Sequence, residues 1–173
     1  DELRPFRDLL RTRLRLVQRR VGAKNSISRV LEKYNVPSTD ELPRLPFLQA
    51  SLHHDQVHLL GQQIHQIEGL LGDPLCADPD VQRLLRIPGI ERIGVLTLLL
   101  EIDDIQRFAS ARHFHSYARL VPGADNSGGR TPNRRSKEGN RYLKLTFSHA
   151  ALRAIQYYPE IRTFYQQLAR SKG

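Results

Sequence analysis

The chain has 173 residues and 39% hydrophobic side chains, enough for one packed core or a core with a helical extension, and its composition excludes collagen-like and disordered classes. Its net charge of +9 divides into +6 over residues 1–36, −7 over 37–106 and +10 over 107–173, so a polyanion is the expected partner at the two ends, chiefly the C-terminal one. One cysteine, Cys76, excludes an internal disulfide framework and suits a reducing, cytoplasmic compartment, and no apolar run is long enough to predict a membrane span.

Arg outnumbers Lys heavily, which favours forked contacts to phosphate over point charges; a basic but partnerless surface is the competing reading. The chain contains no Met and opens inside a helical pattern, so it reads as part of something longer. Leu3, Phe6, Leu10, Leu14, Val17, Val21, Ile27 and Leu31 recur at three- and four-residue intervals and predict one long helix, with Arg7, Arg11, Arg15 and Arg19 on another face. Asn35-Val36-Pro37 ends it, and Pro43 and Pro46 predict an extended or turned stretch. Val57, Leu60, Ile64, Ile67 and Leu71 then predict a second helix, stopped by Gly72-Asp73-Pro74. Together they predict a coiled-coil-like helical hairpin over 1–76, with a leftover apolar stripe that suits pairing with a second copy.

A second domain is expected over 77–173, with helices at 79–87, 92–102 and 110–119, a polar loop over about 121–136, and helices at about 137–157 and 159–170. Nothing alternates as a strand does, so the expected fold is all-α. Within it, Ile87-Pro88-Gly89-Ile90 joins two helices as a helix-hairpin-helix does. Gly89 allows the reversal, and the amides of the next helix can face a phosphate without reading bases. Glu91 stands where such a turn usually has a second glycine, and a purely packing hairpin is the competing reading.

The loop Asp125-Asn126-Ser127-Gly128-Gly129-Arg130 offers a hydroxyl on a glycine turn whose backbone amides can face an oxyanion. Arg130, Arg134, Arg135 and Lys137 add positive charge close by in sequence. Such a pocket suits a phosphodiester with Ser127 as nucleophile, whereas the pattern by itself is also that of a flexible linker. Asp125 and His149 are candidate bases by type only. Ser136 is a candidate helix cap, and Asn140, Arg141 and Lys144 are expected to hold a nucleic-acid strand, while Leu143, Phe147, Ala150, Ala151 and Ala154 read as core. His54, His58 and His65 share a helix face but lack a further ligand at metal-binding spacing. Glu101, Asp103 and Asp104 form an acidic cluster that could suit Mg²⁺, but Asp103 and Asp104 read better as a helix boundary before Ile105, so no metal is expected on these residues.

The run Ile87-Pro88-Gly89-Ile90, Leu98-Leu99-Leu100-Glu101-Ile102, Ile105, Arg107-Phe108, Ser116-Tyr117-Ala118, Leu120-Val121-Pro122, Ser127-Gly128-Gly129, Ser136-Lys137, Gly139-Asn140-Arg141-Tyr142-Leu143 and Ala150-Ala151 resembles the C-terminal domain of the IS-one-ten/Piv family of insertion-sequence transposases. The likeness covers about residues 81–157 in order and spacing, and 1–72 resembles the helical segment preceding that domain. It implies that Ser127 attacks a DNA phosphodiester to give a phosphoserine link, with Mg²⁺ held by four carboxylates of an N-terminal RuvC-like domain that this chain lacks. It further implies DNA and a guide (bridge) RNA as partners, and a fragment that by itself binds weakly and cuts nothing. Asp103, where the family commonly has glycine, and Arg135, where it usually has an apolar residue, depart from the pattern. A non-catalytic helix-hairpin-helix module gripping DNA or RNA, and a helical scaffold, are the alternatives.

Overall fold

The spacing that begins at Leu3 becomes α1 (Arg4–Tyr34) in the computed structural model, which describes residues 3–75, 79–121 and 138–172. Pro5 sits in the first turn, where its missing N–H has no acceptor to lose. Asn35 ends the helix in the left-handed region (φ 51°), with its own N–H on the Glu32 carbonyl and the Val36 N–H on that of Leu31, which satisfies two terminal carbonyls. A 3-10 turn (Thr39–Glu41) leads into α2 (Arg44–Leu75).

Here the expectation fails: α2 starts at Arg44, not near Val57, and the stretch expected to be extended is helical. The reason is positional. Pro43 precedes the helix and accepts the Phe47 N–H at 2.9 Å, while Pro46 lies in the first turn, where no intrahelical bond is lost. Proline breaks a helix interior, but these two open one.

The antiparallel register of the hairpin is fixed by pairs along its length. Arg13 Nε donates to Glu68 Oε1 at 2.9 Å, Gly61 faces the Arg20 guanidinium, and Val30 packs with Ala50 and Leu42 near the elbow. Leu10, Ala50, Ile64, Ile67 and Leu71 are buried, and each large aliphatic among them contributes about 2 kcal/mol by leaving water. Residues 1–74 form one compact unit and 75–173 a second.

In the second unit α3 (Pro79–Leu85) and α4 (Arg92–Ile102) flank the Pro88-Gly89 turn, followed by a 3-10 turn (Ile105–Arg107), α5 (Ala111–Tyr117), α6 (Arg141–Tyr157) and α7 (Pro159–Lys172). There is no strand among the described residues, and the fold is all-α. Helix α4 is apolar on almost every side, so it is the buried centre, packed on α3 and α6; Val95, Leu96, Leu98 and Leu100 are in the core. Leu98, Ala118 and Leu143 join α4, the end of α5 and α6, with Ile90, Phe114, Tyr117 and Phe147 around them. Helix α6 begins at Arg141 and not at about Lys137, because Gly139 and Asn140 form its entry. Ser136, the expected cap, lies outside the described residues.

Candidate nucleic-acid interface at the start of α6

The entry to α6 is built on Asn140. Its Oδ1 accepts the Tyr142 and Leu143 N–H groups at 2.9 and 3.1 Å, the arrangement that caps a helix start. Its Nδ2 donates to Glu101 Oε2 at 2.6 Å and reaches the Tyr117 hydroxyl at 3.4 Å, while its backbone N–H donates to the Tyr117 carbonyl at 2.7 Å. Glu101 is 3% exposed on α4 and Asn140 9% exposed, so this is a buried polar network joining α4, α5 and α6. A carboxylate taken out of water costs several kcal/mol unless it is hydrogen-bonded, and the Asn140 amide offsets part of that cost. Gly139 is required beside it, since a Cβ there would lie 2.5 Å from the Tyr117 carbonyl oxygen.

Next to this network, Arg107 donates to the Glu101 carbonyl at 3.3 Å, and its guanidinium lies 4.7 Å and 4.9 Å from the Phe108 and Tyr117 ring centres. Phe108, Phe114 and Phe147 continue the aromatic packing, with Phe108–Phe114 centroids 5.3 Å apart and Phe114–Phe147 6.0 Å apart. The outer turn of α6 presents Arg141 and Lys144 to solvent, and Arg141 lies over the Tyr142 ring at 4.9 Å. Of the residues expected to hold nucleic acid, these two are exposed and next to each other on the helix. Asn140, expected beside them, instead has both polar atoms of its side chain committed inside the chain. Ser127, Gly128, Gly129, Arg130, Arg134, Arg135 and Lys137 lie outside the described residues.

The Pro88-Gly89-Ile90 hairpin is docked on the chain itself. Gly89 has φ 84°, and a Cβ on it would lie 2.3 Å from the Ala150 carbonyl and 3.0 Å from the Ala154 nitrogen, so the turn presses on the α6 backbone. Ile90 enters the core and Pro88 is exposed. Glu91 caps nothing with its side chain and pairs with Arg153 of α6 at 2.7 Å, which neutralises the carboxylate at the mouth of α4. Asp104 accepts the Gln106 N–H at 2.8 Å and so caps the 3-10 turn, while Asp103 closes α4 at φ 63°, ψ −91°, a conformation that favours glycine. No group of three His, Cys, Asp or Glu able to hold a metal is present among the described residues; His54, His58 and His65 are exposed on α2. No described helix is long and apolar enough to cross a membrane.

From sequence, Glu101 reads only as part of an acidic cluster that could suit Mg²⁺, and its partnership with Asn140 is missed. The signal was present: a lone carboxylate inside Leu98-Leu99-Leu100-Glu101-Ile102 needs a buried donor, and an Asn directly before a helix is a natural cap.

Comparison with known proteins bears on this same region. Residues 81–166 match the model of the Transposase IS116/IS110/IS902 family. The chain is 33% identical over 170 residues to the transposase for insertion sequence element IS1328 of Yersinia enterocolitica, covering 86% of this chain and 50% of that protein. It is 27% identical over 168 residues to the transposase for insertion sequence element IS1111A of Coxiella burnetii, covering 86% and 46%. To an insertion element IS110 uncharacterized 43.6 kDa protein of Streptomyces coelicolor it is 32% identical over 142 residues, covering 79% and 33%. The chain thus spans half or less of the length of these relatives.

Proposed function

The chain belongs to the IS116/IS110/IS902 family of transposases, and on that premise we propose that it is the serine-bearing, nucleic-acid-holding part of a DNA transposase or site-specific recombinase. The observation that carries this reading is the coincidence of the family match with a prepared anchor. Gly139-Asn140, which follow in sequence shortly after the segment bearing Ser127, are tied to α4 and α5 by the buried Glu101–Asn140–Tyr117 network. Exposed Arg141 and Lys144 follow at once on α6, where cations meet phosphate without any demand on base sequence.

In the proposed chemistry the Ser127 hydroxyl oxygen bonds to the phosphorus of a DNA phosphodiester, and the bond to the leaving strand oxygen breaks. The serine proton passes to a base and the leaving oxygen takes one up. The amides around Gly128 and Gly129, with Arg130, Arg134, Arg135 and Lys137, are proposed to hold the phosphoryl oxygens. The Mg²⁺ that the resemblance implies does not fit the described carboxylates, because Glu101 is closed in by Asn140 and Asp104 is committed to Gln106. Its ligands are proposed to lie outside this chain, and the isolated chain is proposed to be inactive. DNA, a guide (bridge) RNA and a second copy of the chain are the proposed partners, in the cytoplasm. Leu45, Leu52 and Leu59 of α2, seven residues apart and exposed, support the second copy.

The test is Ser127→Ala in the complete transposase. Cleavage is expected to disappear while DNA binding stays within about twofold, and trapped protein–DNA adducts are expected only with the serine present. Cleavage at the parent rate would refute the assignment. The alternative, a non-catalytic helix-hairpin-helix grip, is weakened by the close packing of Gly89 on Ala150, which turns the hairpin toward the chain's own core.

A further inference from the structure

We propose that the outer face of α1 is a separate surface for the backbone of a nucleic-acid duplex. At 3.6 residues per turn, Arg4, Arg11, Arg15, Arg19, Arg29 and Lys33 fall within an arc of about 80°. All are exposed except Arg11, which is half-buried, whereas Leu10, Ala23 and Val30 of the same helix are buried. Arg4 to Lys33 spans about 43 Å of straight helix at 1.5 Å per residue. Among the described residues Asp8 is the one carboxylate on that arc.

Two features specify the ligand. Apart from Tyr34 at its far end, whose ring lies under Lys33 at 5.7 Å, the row carries charge and no run of aromatic platforms, which single-stranded nucleic acid needs for stacking successive bases, so it suits a regular phosphate backbone. The apolar side of α1 is used within the hairpin, as the buried Leu10, Ala23 and Val30 show, and among the described residues of α1 the exposed large hydrophobics are Val21 and Tyr34, too few to form an apolar face for a membrane surface. Five of the six cations are Arg, whose fork fits phosphate oxygens.

Gly22 points the same way. It lies in the middle of the row and of a 31-residue helix, where glycine costs about 1 kcal/mol relative to alanine. No described residue comes within 4 Å of where its Cβ would lie, so nothing among the described residues requires glycine there. With Ser26 one turn on, it leaves a low point between the Arg11–Arg19 cluster and the Arg29–Lys33 cluster, where a rounded backbone can approach closely.

This inference rests on the reading of the chain as a nucleic-acid-handling protein, but not on Ser127 as nucleophile. The experiment uses the 173-residue chain and labelled DNA and RNA duplexes of about 20 base pairs, longer than the row. Binding is followed against salt. Combining Arg15→Gln, Arg19→Gln, Arg29→Gln and Lys33→Gln is expected to make the slope of log K against log salt shallower by about 3 to 4 and to weaken binding at least tenfold near 0.1 M salt. Restoring charge with Arg15→Lys, Arg19→Lys and Arg29→Lys is expected to keep the parent slope. Gly22→Leu, which favours the helix, is expected to hold or raise the melting temperature and yet weaken binding several-fold. A slope unchanged within about 1 in the four-site variant, while Arg141→Gln with Lys144→Gln lowers it, would overturn the α1 surface alone. Parent-like binding by Gly22→Leu would overturn the close approach. A parent chain that binds anionic phospholipid vesicles and no duplex would overturn the surface and the nucleic-acid reading together.

Discussion

Asn140 combines two duties that usually fall to separate residues: one side-chain atom caps α6 and the other satisfies a carboxylate buried in α4. Asn140→Ala removes both, so a loss of about 2–3 kcal/mol in urea unfolding is expected, more than a cap by itself is worth. At Gly89 the constraint is steric. Gly89→Ala places a methyl group 2.3 Å from the Ala150 carbonyl at a positive φ and should destabilise the chain by about 3 kcal/mol. Asp103 presents the opposite case. It holds φ 63°, ψ −91° at the end of α4, so Asp103→Gly should raise stability by about 1 kcal/mol, read as a higher urea midpoint at unchanged slope. Glycine, which the resemblance leads one to expect at that position, would hold this backbone without strain.

At the scale of elements, α1 and α2 use their apolar positions unequally. Leu10, Ile64, Ile67 and Leu71 are buried in the hairpin, whereas Leu45, Leu48, Leu52 and Leu59 remain exposed along one side of α2. The proposed second copy covers that side. Sedimentation of the 173-residue chain is therefore expected to show a dimer, and Leu52→Lys, which puts a charge in the middle of the stripe, a monomer of unchanged helix content. A parent chain sedimenting as a monomer at high concentration would refute it. The elements of the second unit were largely legible: α4 was expected at 92–102 and is Arg92–Ile102, because Asp103 and the preceding Pro88-Gly89 turn punctuate it locally. Helix α2 was misread over its first thirteen residues, since the effect of Pro43 and Pro46 depends on whether they precede, open or interrupt a helix.

For the whole molecule, the charge asymmetry of +6, −7 and +10 along the chain leads to a salt prediction. Duplex binding by the intact chain should weaken steeply between about 50 and 200 mM salt, whatever the base sequence, because phosphate neutralisation releases counterions. Binding that changed little over that range would speak against both basic surfaces. Catalysis belongs to the same scale: Ser127 is proposed as nucleophile on the family resemblance, and its chemistry is proposed to need metal-binding carboxylates from outside this chain.

The sequence by itself determined the all-α class, the two-helix opening segment, most helix positions and the transposase family. Each is written in periodicity, punctuation or an ordered set of motifs that neighbouring residues carry. Only the tertiary structure decided that Gly89 packs on α6, that Glu91 pairs with Arg153, and that Asn140 turns inward to Glu101, thirty-nine positions away in the chain. A side chain's partner is set by what the fold brings within about 3 Å of it, and local pattern carries no record of that.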